Sequence, residues 1–430
     1  MDRRHFLKIL ALSSASMIYN PRFSWAAGEP GSKDPILVTI FLRGAMDGVS
    51  FLPPIDDPNY FLMRPNIAIR NMGTAAATTP SSAAVAIPPE LKLKDGFALH
   101  PALTEIRQIF NRGEASLFFE AGSLANTRSH FDAQDWMESG TLQMGANESG
   151  FLGRAAAGVT NPKAGLSVVA IQNGLPRILK GSAVGVAFPD FKALKLAGPL
   201  TRDKLGGGSE SDKGLDPAIL KLYGQSEDPL FHSAAQSFLQ GSSVLQKAEQ
   251  LFDQEKMALP KGNLAKNLAQ ISAMIRSDVG LKMAVTEMGG WDTHVNQGNA
   301  EKGSLKDRFV ELDAAIGSFW KSIEAHKDQV CIVVMTEFGR TAAENGDRGT
   351  DHGHGSTFMV INGKVKSQKI YQQFKGFSKE HLHENRDLDV KFDYREIFLE
   401  VLQKHSKLAV DAKTLFPGFV STGELGLFRS

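Results

Sequence analysis

Carboxylates and imidazoles collect at a few glycine-marked places in this chain. Asp292 and His294 stand in GGWDTH, Glu337 in TEFGRT, and Asp351, His352 and His354 in GTDHGHGS. Asp47 lies in RGAMDG, and Arg128, Ser129 and His130 lie in NTRSHFDAQ. Carboxylate oxygens combined with imidazole nitrogens suit Zn or Mn, and Mg or Ca where oxygen dominates. DHGHG is the most telling segment, because two histidines flanked by glycines have no packing task. Arg43, Arg128 and Arg340 offer guanidinium forks for an anion. Plainer roles compete at each position. Asp47 also reads as a turn residue bonding its own backbone, Asp292 as a cap, Ser129 as a helix N-cap, and Glu337 as the partner of Arg340. His100 before Pro101 either reaches the crevice or begins a helix. Trp291 reads as core, and His5, His232, His326, His381, His383 and His405 as solvated side chains.

These residues need elements to position them. PILVTIFL (35–42), EASLFFEAG (114–122), GLSVVAI (165–171), LKMAVTEM (281–288), VCIVVM (330–335) and STFMVI (356–361) are apolar runs that read as buried strands. Helical spacing separates them, with Leu103, Ile106 and Ile109 in one stretch and Leu305, Phe309, Leu312, Ile316 and Phe319 in another. Asp393 with Glu396 opens a last helix in a capping-box pattern. Strand–helix alternation of this kind predicts a mainly parallel sheet covered by helices, and the carboxyl ends of such strands line one crevice. The glycine-rich connector 204–214 leads into two helical patterns, one through Ala234, Phe238, Leu245, Ala248 and Phe252 and one through Leu264, Leu268, Ile271 and Ile275. They read as a helical insertion at about 205–280. The segment 73–86, rich in Ala, Thr, Ser and Pro, reads as an irregular surface insertion.

The chain opens MDRRHFLK, a twin arginine ahead of a short, mildly apolar stretch and the small residues Ala26 and Ala27. That pattern is the address of the Tat exporter, so residues 1–27 are expected to be a signal peptide and the product periplasmic or secreted, with the Tat translocon as its partner during export. Without residues 1–26, which hold Arg3, Arg4, Lys8, Arg22 and Asp2, the balance is 44 Lys and Arg against 46 Asp and Glu. A near-neutral chain of this kind argues against nucleic-acid binding, and no apolar run is long enough for a stable membrane span. The single cysteine, Cys331, sits among apolar residues, which points to burial and excludes an internal disulfide.

The order FLRGAMDG, LHPAL, TRSHFDAQDWME, GGWDTH, TEFGRT, GTDHGHG resembles the Tat-exported bacterial family known as domain of unknown function 1501, itself similar to the alkaline phosphatase and sulfatase superfamily. The resemblance spans nearly all of residues 28–430. It implies a three-layer α/β/α sandwich and a bimetal site with a Ser or Thr nucleophile. By that resemblance Asp47 is a metal ligand, Ser129 the nucleophile with Thr127 as the weaker candidate, and His130 and Arg128 its neighbours. Asp292 and His294 are ligands of the other metal, Glu337 stands in place of a ligating aspartate, and His352 or His354 is a late histidine ligand. Phe338 stands where the superfamily has a histidine, and no cysteine is placed to become a formylglycine. The implied activity is metal-dependent hydrolysis of a phosphate or sulfate ester, on a small molecule or glycan, by Ser129 or a metal-bound water. The alternatives are a non-catalytic metal-binding envelope protein of the same fold and a phospho-group transferase acting on envelope glycans.

Overall fold

The computed structural model describes residues 34–69, 92–143, 148–157, 166–182, 185–196, 245–366 and 369–429. The signal peptide, the 73–86 stretch, the connector 204–214 and the pattern around Ala234 and Phe238 lie outside the described residues.

Nine strands form: β1 (Ile36–Leu42), β2 (Ala115–Gly122), β3 (Val168–Ile171), β4 (Gly185–Phe188), β5 (Met283–Met288), β6 (Val330–Thr336), β7 (Ser356–Ile361), β8 (Lys369–Tyr371) and β9 (Phe392–Asp393), of which all but β4, β8 and β9 fall on the six expected apolar runs. They make one sheet in the order β4-β3-β5-β1-β6-β7-β2-β8, with β9 also pairing with β2. Every pairing is parallel except the two made by β7. The reversal of β7 matters for function. Its amino end lies at the rim where the other strands have their carboxyl ends, so the segment preceding it, with His352 and His354, reaches that rim from the opposite chain direction.

Both faces of the sheet are buried. Along β1, Ile36, Val38 and Ile40 belong to one apolar cluster, while Leu37 and Phe41 belong to the other. The same alternation divides β6, where Ile332 and Val334 face one way and Cys331 and Val333 the other. The helices that matter for the sheet and the site are α1 (Gly48–Phe51), α2 (Thr104–Asn111), α3 (His130–Ser139), α4 (Phe151–Ala156), α5 (Asn263–Arg276), α6 (Ser304–Ser322) and α7 (Tyr394–Glu400). Ile106 and Ile109 of α2, Leu264, Leu268 and Ile271 of α5, and Phe309, Leu312 and Ile316 of α6 fill the first cluster. Met137 of α3, Phe151 and Leu152 of α4, and Tyr394, Ile397 and Phe398 of α7 fill the second. The architecture is therefore a three-layer α/β/α sandwich around a mainly parallel sheet. One expectation shifts. The Leu264–Ile275 pattern, read from sequence as part of an insertion, is α5, a helix of the sandwich that packs on α6 and β5. Its apolar stripe covers the sheet, which is why a periodicity argument alone does not tell it from an appended helix. Among the described residues no helix is long and apolar enough to cross a membrane. Cys331 is fully buried, and burial pushes its thiol far above the ordinary range.

Candidate metal centre

The rim is assembled from four loops and one helix start. Arg43 to Asp47 follow β1, Trp291 to His294 follow β5, and Glu337 to Thr341 follow β6. Asp351 to His354 precede β7, and α3 begins at His130. Backbone packing sets their spacing. Thr341 N donates to Asp351 O, Gly353 N to Gly339 O, and Gly339 N to His354 O. The segment after β6 and the segment before β7 are thus laced antiparallel, which carries His352 over Arg340. Glycine is required in this lacing, because a Cβ on Gly339 would fall 1.7 Å from Gly355 O. Gly44, at φ +116, plays the same part for the β1 loop, since a Cβ there would lie 2.8 Å from the backbone nitrogen of Asp292.

Four of the sequence-derived candidates meet. His294 Nε2 is 2.9 Å and His352 Nε2 3.2 Å from Asp292 Oδ1, and His130 Nε2 is 3.4 Å from Asp292 Oδ2. The Nε2 atoms of His294 and His352 are 3.0 Å apart. The ligand-type atoms of His130, Asp292 and His352 all fall within 4.8 Å of one another.

The far side of each ring fixes its tautomer. His130 Nδ1 is 2.7 Å from Glu337 Oε1, His352 Nδ1 is 2.7 Å from Arg128 O, and His294 Nδ1 is 3.3 Å from Asp351 Oδ1. A carboxylate oxygen or a carbonyl only accepts, so each Nδ1 donates, and each neutral ring presents a bare Nε2 lone pair inward. Lone pairs crowded against a carboxylate repel one another and call for a cation between them. His130 Nε2 is buried without a hydrogen-bond partner, which fits the same requirement. Histidine ligands oriented by carboxylates and carbonyls on their other nitrogen are the usual arrangement around bound zinc. Asp292 and His294 keep side-chain exposures of 43% and 39%, so the centre opens to solvent and leaves room for a further ligand.

Electrostatics keep Asp292 ionised. Burial pushes the Asp292 carboxyl up, but Arg340, whose Nη1 donates to Asp292 Oδ1 at 2.6 Å, outweighs it and holds the group below its usual range. The hydrogen bond to Glu337 raises His130 above its ordinary value, whereas burial lowers His352. Phe338 lies against both rings, with centroids 4.9 Å from His130 and 5.2 Å from His352, and walls the centre from below.

The other candidates are placed differently. Glu337 is buried and faces away from the cluster of Nε2 atoms. It accepts from Gly44 N at 2.8 Å, Gln134 Nε2 at 2.8 Å and Thr336 Oγ1 at 3.0 Å besides His130, so it orients a ligand rather than joining Asp292. Arg340 pairs with Asp292, not with Glu337. Asp47 is fully buried in a bidentate pair with Arg64, at 2.6 and 3.1 Å, and also accepts from Ser50 Oγ and Gln297 Nε2. A guanidinium therefore stands where a cation bound to Asp47 would stand. His354 turns aside and stacks on His383, away from His352.

Ser129 is the N-cap of α3, its hydroxyl accepting from Asp132 N at 3.4 Å. It stands between Arg128, whose carbonyl holds His352, and His130, so it borders the centre without a contact to Asp292. The three arginines expected to hold an anion are all engaged by carboxylates: Arg43 by Glu138 and Glu287, Arg128 by Glu384 and Asp387, and Arg340 by Asp292. His100 is buried against Phe309, and Trp291 is core.

Sequence reasoning missed Arg64, Gln134, Gln297 and Thr350. Gln134 stands one helical turn after His130 on the same face, a spacing that marks it as a neighbour; it bridges Glu337 to Arg43. Gln297 and Thr350 join Asp47 to Arg340 through a buried relay of hydrogen bonds.

Glu120 forms the bulge where β2 meets β7, at φ 62, and burial together with the charge of Asp389 pushes its carboxyl up to about 7. In the folded state it holds its proton well above the ordinary value of 4.5, so the native protein loses stability as pH rises from about 4.5 to about 7. The contribution is about 3 kcal/mol at most. Urea denaturation at pH 5 and pH 8 should show a smaller drop in Glu120→Gln than in the parent; equal drops would rule this out.

Residues 35–416 match the family described as "Protein of unknown function (DUF1501)". No curated protein matches the chain. Among solved structures it is similar to a protein in the alkaline phosphatase superfamily from Vibrio parahaemolyticus, at 11% identity and TM-score 0.31, over 86% of this chain and 71% of that one. It is also similar to PsFucS1 sulfatase from Pseudoalteromonas sp., at 12% identity and TM-score 0.34, over 100% of this chain and 78% of that one. The strand order, and not these distant likenesses, defines the architecture.

Proposed function

The chain belongs to the DUF1501 family, described only as of unknown function, so its activity has to come from its own site, and we propose that it is an exported, metal-dependent ester hydrolase. Its centre holds one divalent ion through His130, His294, His352 and Asp292. The observation that carries the reading is the set of three Nδ1 atoms held by acceptors, which leaves three Nε2 lone pairs facing one carboxylate. When bound, such an ion lowers the pKa of a water molecule and polarises an ester oxygen. The residues of the chain supply the rest. Glu337 and Arg128 O hold two of the rings, Arg340 holds Asp292, and Phe338 keeps water from the inner side. Ser129, beside His130, is the candidate side-chain nucleophile. A cleft of about 820 Å³ on the same rim, between the ends of β3 and β5, is lined by Gln172, Asn173, Asn267, Glu287, Gly289 and Arg308. Its amides stand beside charged side chains such as Asp190, Lys192 and Lys266, a polar lining in keeping with a substrate such as a glycan ester. Export through Tat to the periplasm is part of the proposal and rests on Arg3 and Arg4.

Protein purified without added metal should carry one ion more per chain than His352→Ala, and nitrophenyl phosphate or sulfate should be hydrolysed by the parent alone. Loss of turnover in Ser129→Ala with unchanged metal content assigns the nucleophile to Ser129; retained turnover assigns it to water. One observation favours a non-catalytic metal-binding envelope protein instead: Arg43, Arg128 and Arg340 are all closed by carboxylates, which leaves none of them ready for a phosphate or sulfate group. A metal-loaded parent without turnover on any ester would decide for that reading.

A further inference from the structure

A second convergence of ligand-type side chains lies beyond the lacing of the two loops, and it shares no residue with the first. His354 N and O lie within the laced segment, but its ring leaves the centre and stacks on the ring of His383, with centroids 4.0 Å apart and planes 22° apart. Asp389 completes the group, its Oδ1 3.9 Å from His383 Nδ1. Ligand-type atoms of all three residues fall within 4.8 Å of one another.

Hydrogen bonding does not account for this grouping. His383 Nε2 is buried without a hydrogen-bond partner. His354 is itself only 6% exposed. Two imidazoles brought face to face, one with a buried nitrogen that lacks a hydrogen-bond partner, carry a desolvation cost that ring stacking alone offsets poorly. Charges of both signs surround the rings: Asp387 is paired with Arg128 and Arg386, and Glu384 Oε1 lies 3.8 Å from His383 Nε2. Lys391 takes Asp389 Oδ2, while Oδ1 accepts from Val390 N at 2.8 Å and lies 3.9 Å from His383 Nδ1. Two imidazole nitrogens and one carboxylate oxygen form a ligand set for a borderline divalent ion.

We propose that His354, His383 and Asp389 form a second divalent-cation site, suited to Zn²⁺, that staples the loop before β7 to the 383–389 segment. The two segments are already joined where Gly355 N donates to Leu388 O at 2.7 Å, so an ion there would hold in place the loop that delivers His352. The site is independent of the hydrolase reading.

The full mature protein, stripped with a chelator and dialysed against Zn²⁺ or Co²⁺, tests it. Elemental analysis should find two ions per chain in the parent and one in each of His383→Gln, Asp389→Asn and His352→Ala. Co²⁺ spectra of His383→Gln and His352→Ala should differ and together reproduce that of the parent. A parent with a single ion that survives in both His383→Gln and Asp389→Asn overturns the second site and leaves the first standing. A parent whose single ion survives His352→Ala but not His383→Gln supports the second site and sinks the first. Should His383→Gln fail to fold, the Asp389→Asn content decides alone.

Discussion

Arg64→Ala is expected to destabilise the protein by about 3–5 kcal/mol, the range found when one member of a buried ion pair is removed. All of the guanidinium's bonding is internal. Nη1 and Nη2 clasp Asp47, Nε donates to Ala342 O, and Nη2 also donates to Thr341 O. Arg64 and Asp47 are both fully buried. Burial alone would push the Asp47 carboxyl up, but Arg64, Ser50 and Gln297 outweigh it and hold the group below its usual range. In the parent this pair therefore contributes stability above the unfolded carboxyl value, and that contribution is lost as pH falls through the depressed folded value. In Arg64→Ala the sign reverses. The stranded carboxyl prefers its proton, and the variant should gain stability on acidification. Urea midpoints at pH 7 and pH 5 check the variant's gain, and a midpoint at pH 3, below the ordinary carboxyl value of 3.8, checks the parent's loss. The double variant Arg64→Met, Asp47→Asn should recover part of the loss, because no unpaired charge remains. A variant as stable as the parent at pH 7 would refute the account of Asp47 as a closed ion-pair residue and reopen it as a metal ligand.

Glu337→Gln is expected to weaken metal binding 10- to 100-fold while leaving the fold intact, as removal of a group that orients a ligand usually does. Glutamine keeps an oxygen for His130 Nδ1 but loses the charge that makes the ring a better donor of its Nε2 pair. Glu337→Ala removes the acceptor altogether, strands Gly44 N and Gln134 Nε2, and should cost both affinity and stability. Competition against a chromophoric chelator reads the affinity. If Glu337 were itself a ligand, Glu337→Gln would abolish binding rather than reduce it; if Glu337 were irrelevant, affinity would not move.

Much of this centre was legible because its parts sit where a parallel sheet exposes them. Asp292 and His294 follow one strand and His352 precedes another, each with glycine beside it, and that is enough to place them on a rim. Six of the nine strands were plain from unbroken apolar runs; the short β4, β8 and β9 were not. The direction of a side chain within the rim was not legible. Asp47, Glu337 and His354 occupy the same kind of loop as Asp292, His294 and His352, but what each faces depends on residues far off in sequence. Arg64 reaches Asp47, Gln134 and His130 reach Glu337, and His383 reaches His354. Arg64 sits in FLMRPNI, where no spacing announces a partner. The reversal of β7 was equally silent, because a strand's alternation of faces reads the same in either direction. The two residues of β9 are too short to show any period.

The loops after β6 and before β7 meet main chain to main chain, with Gly339 pressed on the carbonyl of Gly355. A seam of this kind leaves no side chain to trade. Insertions or bulkier residues in either strip would prise both apart, and His352 would leave with them. Drift at this centre is then confined to the inward-pointing groups, and changes in what the protein recognises have to come from the more open border near β3 and β5.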